Sequence, residues 1–317
     1  MRSGVILAGG DGTRLRELVH RLRGDALPKQ FVPFFGEPSM YERTVSRAGA
    51  LIPSERLLTV VARHHLAFPE AVGQLRARPP GTVVVQPQNR ETAPGLLLPL
   101  VHVATRDPDA VAVVFPSDHV VDDEELFMEY VEEACCAVER DPRRLVLVGA
   151  EPHGPEPDYG YIIPGAQSAA QRVSRIREVV HFVEKPSPAD SARLIRGGAL
   201  WNTFVMVLRP RTLFGLVRWW SPELYRAFRT IKAAIGTSRE QAVTDEVYQS
   251  LAPANFSSGV LEAVARHGPR RVAVVPARGV FWSDCGSEER LLADWKPVGF
   301  PHRFSTDCQP AARFAEA

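Results

Sequence analysis

The 317-residue sequence is 45% hydrophobic and 24% charged, with 38 Lys and Arg against 37 Asp and Glu and a formal net charge of +1. That near-neutral balance gives no global pull toward nucleic acid or an anionic membrane surface. No apolar run is long enough to span a bilayer, and Val5–Ala8 is too short for the core of a secretion signal, so the expected location is the cytoplasm.

Short β-branched runs alternate with amphipathic segments through the first half. Strands are predicted at Gly4–Ala8, Leu57–Val61, Val83–Gln86, Val111–Phe115 and Leu145–Val148. Helices are predicted at Met40–Leu51, His64–Arg76, Ala93–Thr105 and Glu124–Arg140. This alternation predicts an α/β fold with a parallel sheet covered on both faces, whose ligands bind beyond the carboxyl ends of the strands. The second half is less regular. Its predicted strands are Tyr159–Pro164, Val173–Glu184, Phe204–Leu208, Arg271–Val275 and Val280–Trp282. Its predicted helices are Pro188–Gly197, Arg211–Trp219, Pro222–Ile235 and Arg239–Leu251. Pro152–Pro157 is the linker candidate, or only a loop. Residues 1–296 read as a single domain, and 297–317 as a peripheral tail without periodicity.

Two features of composition bear on chemistry. The cysteines, Cys135, Cys136, Cys285 and Cys308, form neither a C-x-x-C pair nor a zinc spacing, and read as inert thiols. Lysine is scarce: Lys29, Lys185, Lys232 and Lys296 are the only ones. Where arginine is the default cation, a lysine is a less generic choice, and its compact ammonium suits a phosphate oxygen.

The first predicted strand runs into Leu7-Ala8-Gly9-Gly10-Asp11-Gly12-Thr13-Arg14-Leu15. This loop lacks the third glycine of a dinucleotide fingerprint and the Gly-Lys-Ser/Thr of a Walker A loop. What remains is strand, glycine turn and arginine: a backbone cradle for polyphosphate with Arg14 as its clamp, or a plain turn. Pro28 fixes the backbone ahead of Lys29, which reads as a phosphate ligand or a surface lysine. In Gln86-Pro87-Gln88-Asn89-Arg90-Glu91-Thr92, amide and guanidinium groups could read the edge of a base, while Thr92 also reads as a helix N-cap. Asp118 at a strand's carboxyl end, and Asp284 at another, are hard oxygen ligands for Mg²⁺ or turn residues. Glu184 and Lys185 end a strand and point to opposite faces unless a twist or bulge brings them together. Asn202 offers an amide beside the Trp201 ring.

In order along the chain, L-A-G-G-x-G-T-R-L, P-K-Q-F, R-x-T-A-P, P-S-D-H, Y-G-Y-I, V-E-K-P, W-N and a late aspartate-glycine turn resemble the sugar-1-phosphate nucleotidyltransferases over roughly residues 3 to 295. The P-K-Q-F and P-S-D-H forms are most similar to the mannose-1-phosphate guanylyltransferases. The resemblance implies a Rossmann-like mixed, mainly parallel sheet flanked by helices, with a smaller sugar-binding sheet. It implies that GTP and mannose 1-phosphate give GDP-mannose and pyrophosphate, with Mg²⁺ or another divalent cation required and a homodimer left open. By the same resemblance, Leu7, Ala8, Gly9, Gly10, Gly12 and Thr13 would lie along the nucleotide, and Gln86, Arg90 and Thr92 by its base and ribose. Arg14 and Lys29 would hold the triphosphate and the leaving pyrophosphate. Asp118 and Asp284 would share the metal, Lys185 would draw in the sugar phosphate, and Gly160, Glu184 and Asn202 would line the sugar.

The chemistry suits these residue types. A sugar phosphate is an ionised nucleophile, so the obstacle is repulsion between anions rather than a missing base, and His119 beside Asp118 has little to do as one. The chain departs from the family pattern at Arg16-Glu17-Leu18-Val19 in place of W-P-L-S, at Glu91 in place of asparagine, and at Thr203-Phe204 in place of S-G. The last two leave the sugar and base open, so the alternatives are the same chemistry on other substrates, or a non-catalytic nucleotide-sugar-binding protein. The sequence ends without the C-terminal isomerase domain of longer relatives, which points away from a bifunctional role.

Overall fold

The computed structural model describes residues 1–166, 175–267 and 271–294. The start of the predicted 173–184 strand, the peripheral tail, Lys296 and Cys308 lie outside the described residues. In chain order the main elements of the first half are β1 (Arg2–Ala8), α1 (Arg16–Arg23), α2 (Met40–Gly49), β2 (Leu57–Ala62), α3 (Pro69–Arg76), β3 (Val83–Gln86), α4 (Thr92–Arg106), β4 (Val111–Pro116), β5 (Val120–Val121), α5 (Glu124–Arg140) and β6 (Leu145–Ala150). The second half adds β7 (Gly160–Pro164), β8 (Arg177–Glu184), α6 (Pro188–Arg196), β9 (Leu200–Leu208), α7 (Pro210–Trp220), α8 (Pro222–Ala234), α9 (Glu240–Ser250), α10 (Glu262–His267), β10 (Val272–Ala277), β11 (Trp282–Ser283) and α11 (Glu288–Asp294).

Nine strands form one mixed sheet in the order β3-β2-β1-β4-β9-β6-β10-β8-β7. The β3-β2-β1-β4 end is parallel throughout, as the strand-helix alternation requires. Its strands are buried along nearly their whole length, and neighbours in β1 face opposite ways: Val5 joins the apolar cluster on one face and Ile6 the cluster on the other. β9 runs antiparallel between β4 and β6, so a strand from the second half is inserted into the first. β8 and β7 continue this main sheet at its far end, and β7 pairs with both β8 and β9, which curls that end back on itself. The separate small sheet is the antiparallel two-stranded pair β5-β11, in which β5 follows Asp118 and β11 precedes Asp284, so the pairing sets the two acids at the same end.

β9 begins at Leu200, ahead of the predicted Phe204. Between Met206↔Leu147 and Asn202↔Gly149 it holds two residues more than β6 does. The extra residues form a bulge pinned by Thr203, whose Oγ1 donates to Val148 O at 2.6 Å and accepts from Val205 N–H at 3.1 Å. Phe204 sits in that bulge at φ 57°. Helix α1 was not predicted; it forms because Leu18, Val19 and Leu22 share one face that packs on the core.

Candidate active site

β1, β4, β8 and β9 deliver their ends to one cavity of about 360 Å³, with the turns after β3 and β11 closing it. Of the residues selected from sequence, Leu7, Gly9, Gly10, Gln86 and Thr92 line one end, and Gly160, Glu184 and Asn202 the other, with Asp118 and Asp284 among the walls. Ala8, Gly12, Thr13, Arg14, Lys29, Arg90 and Lys185 are not wall residues.

The glycine loop is shaped by what surrounds it. Gly12 has φ 57°, and a Cβ on Gly9 would stand 2.5 Å from Gln86 Nε2. The Leu7 carbonyl accepts from Ser117, those of Ala8 and Gly10 from Gln30 Nε2, and that of Gly9 from Gln86 Nε2 at 3.3 Å. With its carbonyls taken, the loop is weighted toward N–H donation, the polarity an anion requires. Gln86 Oε1 is buried without a hydrogen-bond partner and borders the cavity, an acceptor aimed at whatever donates from there.

Lys29 lies just beneath the floor, in the short turn Lys29–Phe31. Its Nζ is 3.0 Å from Asp118 Oδ2, and donates to the carbonyls of Asp284 at 2.8 Å and Cys285 at 3.3 Å. One buried ammonium thus joins the two segments that carry the acidic pair. Burial acts to raise the Asp118 pKa, but the Lys29 ammonium, then His119, outweigh it, and the carboxyl lies below its usual range. His119 goes the other way: burial above all pushes it down to about 4, so at neutral pH the ring is uncharged.

Asp284 is held from several sides. Tyr159 OH donates to its Oδ1 at 3.0 Å and Gly286 N–H to the same oxygen at 2.8 Å. Arg14 Nη2 is 3.6 Å from Oδ2, while Arg14 Nη1 donates to Asp158 at 3.0 Å. Gly286 leaves room for the carboxylate, because a Cβ there would lie 2.5 Å from Asp284 Oδ2. Arg290, which the sequence reading did not select, stacks 4.8 Å over the Tyr159 ring and places its guanidinium near Glu156 (2.9 Å), Asp158 (3.5 Å) and Asp284 (3.6 Å). Tyr159 itself lay in the Y-G-Y-I motif without a role. An arginine one turn into the helix after Asp-Cys-Gly-Ser was the available signal for Arg290.

At the other end, Gly160 lets Glu184 approach: a Cβ there would meet Glu184 Oε2 at 2.8 Å. Burial raises the Glu184 pKa against the opposing pull of Lys185. Asn202 Oδ1 accepts from Phe204 N–H at 3.1 Å, which fixes the amide with its NH₂ unused by that bond. Phe204 is a wall residue and meets Phe256 edge to face at 5.9 Å.

Three expectations are revised. Thr92 is the first residue of α4, not its N-cap; Glu91 holds the cap position at φ 70°, and Thr92 Oγ1 accepts from Phe256 N–H at 2.8 Å. Arg90 donates to the carbonyls of Tyr248 and Gln249 at the end of α9, so its guanidinium braces the loop from outside the cavity. Lys185 does not follow the strand alternation: at φ 47° it leaves β8, its N–H bonds Tyr159 O, and its side chain is exposed. Among the described residues, the non-glycine ones with positive φ are Glu91, Lys185, Phe204 and Cys285, all in the walls or directly beside them. Backbone strain of this kind concentrates where surrounding structure is built around a site.

A further acid–histidine group, Asp11, His64 and His65, stands beside the glycine loop, with His64 Nε2 3.0 Å from Asp11 Oδ1. His65 Nδ1 accepts from Ala62 N–H, which leaves its proton on Nε2 and turns a hydrogen rather than a lone pair toward Asp11. Asp11 Oδ2 also accepts from Asn89 Nδ2 at 2.9 Å, which ties the glycine loop to the turn after β3.

The nucleotidyl transferase family model matches residues 3–294. The xanthan biosynthesis protein XanB of Xanthomonas campestris pv. campestris (strain B100) is 31% identical over 292 residues, 91% of this chain and 58% of that protein. A mannose-1-phosphate guanylyltransferase of Escherichia coli is 27% identical over 289 residues, 90% of this chain and 58% of that one. The chain thus spans a little over half the length of these curated relatives. Among solved structures, one described as mannose-1-phosphate geranyltransferase from Thermus thermophilus superposes with a TM-score of 0.76 at 31% identity, covering 92% of this chain and 79% of that one. A UDP-glucose pyrophosphorylase bound to UDP-glucose shares the fold at 13% identity, with a TM-score of 0.56 over 93% of this chain and 97% of that one. With the family model covering nearly the whole described chain and this site at its strand ends, the chain belongs to the nucleotidyl transferase family and has the fold of the sugar-1-phosphate nucleotidyltransferases.

Proposed function

We propose that this chain joins GTP to mannose 1-phosphate, forming GDP-mannose and releasing pyrophosphate. The observation that carries the reading is the acidic pair Asp118 and Asp284, whose segments Lys29 ties together, in the wall of one cavity that a donor-rich glycine loop lines together with Glu184 and Asn202. Two of the similar proteins, those of Escherichia coli and Thermus thermophilus, have the same sugar phosphate in their names, which supports the reading.

The donor set suits a hard divalent cation such as Mg²⁺: two carboxylates at neighbouring strand ends, with no competing soft ligand among the wall residues. Asp118 and Asp284 would hold such a cation, which would supply charge stabilisation to the phosphates. The chain's own residues do the rest. Lys29 and Arg14 bring positive charge to the triphosphate end, where bond breaking leaves negative charge on pyrophosphate. Gln86 and the Gly9–Gly12 backbone orient the nucleotide, Asn202 and Glu184 take sugar hydroxyls, and Lys185 meets the sugar phosphate from the rim. The phosphate oxygen of the sugar attacks, and no proton needs to be removed from it at neutral pH. Residues 1–296 act as the catalytic domain, a reading favoured by the insertion of β9 between strands of the first half.

Pyrophosphate release is to be measured over the common nucleoside triphosphates and a panel of sugar 1-phosphates. The highest specificity constant is expected for GTP with mannose 1-phosphate, and no turnover of that pair refutes the assignment. The second reading, the same chemistry on another pair, is favoured by Phe204 and Glu91 in the walls. It predicts a clearly higher specificity constant for a different sugar phosphate or nucleotide.

A further inference from the structure

A second cavity, of about 490 Å³, lies between α7 and α8 against the loop that precedes β4. Its volume is that of a small-molecule site. Asp109 borders this cavity before β4 and Asp118 borders the active site after it. A six-residue strand separates the two by about 20 Å, so this is not an extension of the first.

Each helix contributes a stripe of helical spacing. From α7 come Arg211, Phe214, Gly215 and Arg218, and from α8 come Tyr225, Arg229 and Lys232. Positive charge is concentrated here in a chain whose overall balance is near zero. Arg211 is paired with Asp109 at 2.7 Å. Arg218 faces the Tyr225 ring at 5.9 Å, and no carboxylate among the described residues pairs with Arg218, Arg229 or Lys232. Lys232 is one of the chain's few lysines, and the active site does not use it.

Gly215 also lines the cavity. It stands in the middle of α7, where glycine costs about 1 kcal/mol relative to alanine. No heavy atom lies within 4 Å of a Cβ built on it. Packing therefore does not demand glycine. Its effect is to keep the cavity wall open between two aromatic rings and a fan of cations.

From this arrangement we infer that the groove between α7 and α8 is a second ligand site, for a small molecule that joins a planar ring to two or more phosphates, the chemistry of a nucleoside diphosphate or triphosphate. The ring lies against Phe214 and Tyr225 over Gly215. The phosphates meet Arg218, Arg229 and Lys232, with the guanidinium providing paired donors and the ammonium a point charge.

GDP is the probe, and its stoichiometry by equilibrium dialysis is the readout. The wild-type chain is expected to bind one GDP per chain more than the Arg218→Ser, Arg229→Ser, Lys232→Ser triple variant does. That difference holds whether or not the first site takes GDP, so failure of the guanylyltransferase reading and failure of this one are told apart. Gly215→Leu is the companion variant. It keeps every charge, fills the cavity and raises helix propensity, so it folds, and it too should lose one GDP. Equal stoichiometry in wild type and triple variant overturns the site. Loss in the triple variant with retention in Gly215→Leu also overturns it, since that is general attraction of anions to a basic surface. Turnover at saturating substrates should be unchanged in both variants.

Discussion

Phe204 can be tested through an inversion of the usual order of two substitutions. It stands in the β9 bulge at φ 57°, a region that disfavours any residue with a Cβ. Phe204→Ala and Phe204→Gly remove the same ring, and with it the same contact with Phe256. They therefore lose equal packing, of the order of 1 kcal/mol for the aromatic pair plus the half-buried ring area. They differ in the backbone. Alanine keeps a left-handed penalty of about 1–2 kcal/mol, whereas glycine removes it but loses about 0.5–1 kcal/mol more chain entropy on folding. The glycine variant should come out about 0.5–1 kcal/mol more stable than the alanine one, where an ordinary strand position gives the reverse sign. Urea denaturation with a shared m-value measures the difference. The same two proteins provide a kinetic control, because both open the sugar end equally and should shift the KM for mannose 1-phosphate alike. An alanine variant as stable as the glycine variant, or more so, refutes the strain argument. Unequal KM values refute the view that the ring alone shapes that wall.

The other predictions address charge. Asp284→Asn preserves an oxygen for the Tyr159 and Gly286 hydrogen bonds but removes the charge; kcat should fall by about two orders of magnitude or more, with the melting curve little changed and no rescue by added Mg²⁺. An undiminished rate excludes Asp284 as a metal ligand. Arg14→Ala should lower turnover by a similar order while costing no more than about 1 kcal/mol of stability, since Arg14 is 52% exposed and its ion pairs with Asp158 and Asp284 are screened; an unfolded variant marks the loop as structural instead. Glu184 has a folded-state pKa above its unfolded one, so the folded state binds the proton more tightly and stability falls as pH rises from the unfolded value through the folded one. Glu184→Gln should therefore be more stable than the parent at neutral pH and lose that pH slope, while its KM for the sugar phosphate rises. A Glu184→Gln protein with the parent's pH slope shows that another group titrates there.

The elements legible in the sequence were those whose period is local. Val83–Gln86 and Glu124–Arg140 have the predicted bounds because β-branched runs and an Asp123 cap with a helical stripe decide them within a few residues. Likewise the acids at the ends of β4 and β11 were found because a polar residue after a buried strand must emerge at the sheet edge. The β9 bulge was not legible: nothing in Trp201-Asn202-Thr203-Phe204 announces that Thr203 will bond the Val148 carbonyl across the sheet.

Residue types, their order and their positions at strand ends were determined by the sequence alone, and with them the family and the acidic pair. The destination of each long side chain was decided only by tertiary structure. Arg90, chosen from sequence for the base, reaches away to the carbonyls of α9, and Arg290, never chosen, stacks on Tyr159 behind Asp284. Both are arginines near loops of the same cavity. The physical difference is which unpaired carbonyls and carboxylates the distant segments bring within reach of a flexible guanidinium, and that is fixed only when those segments pack.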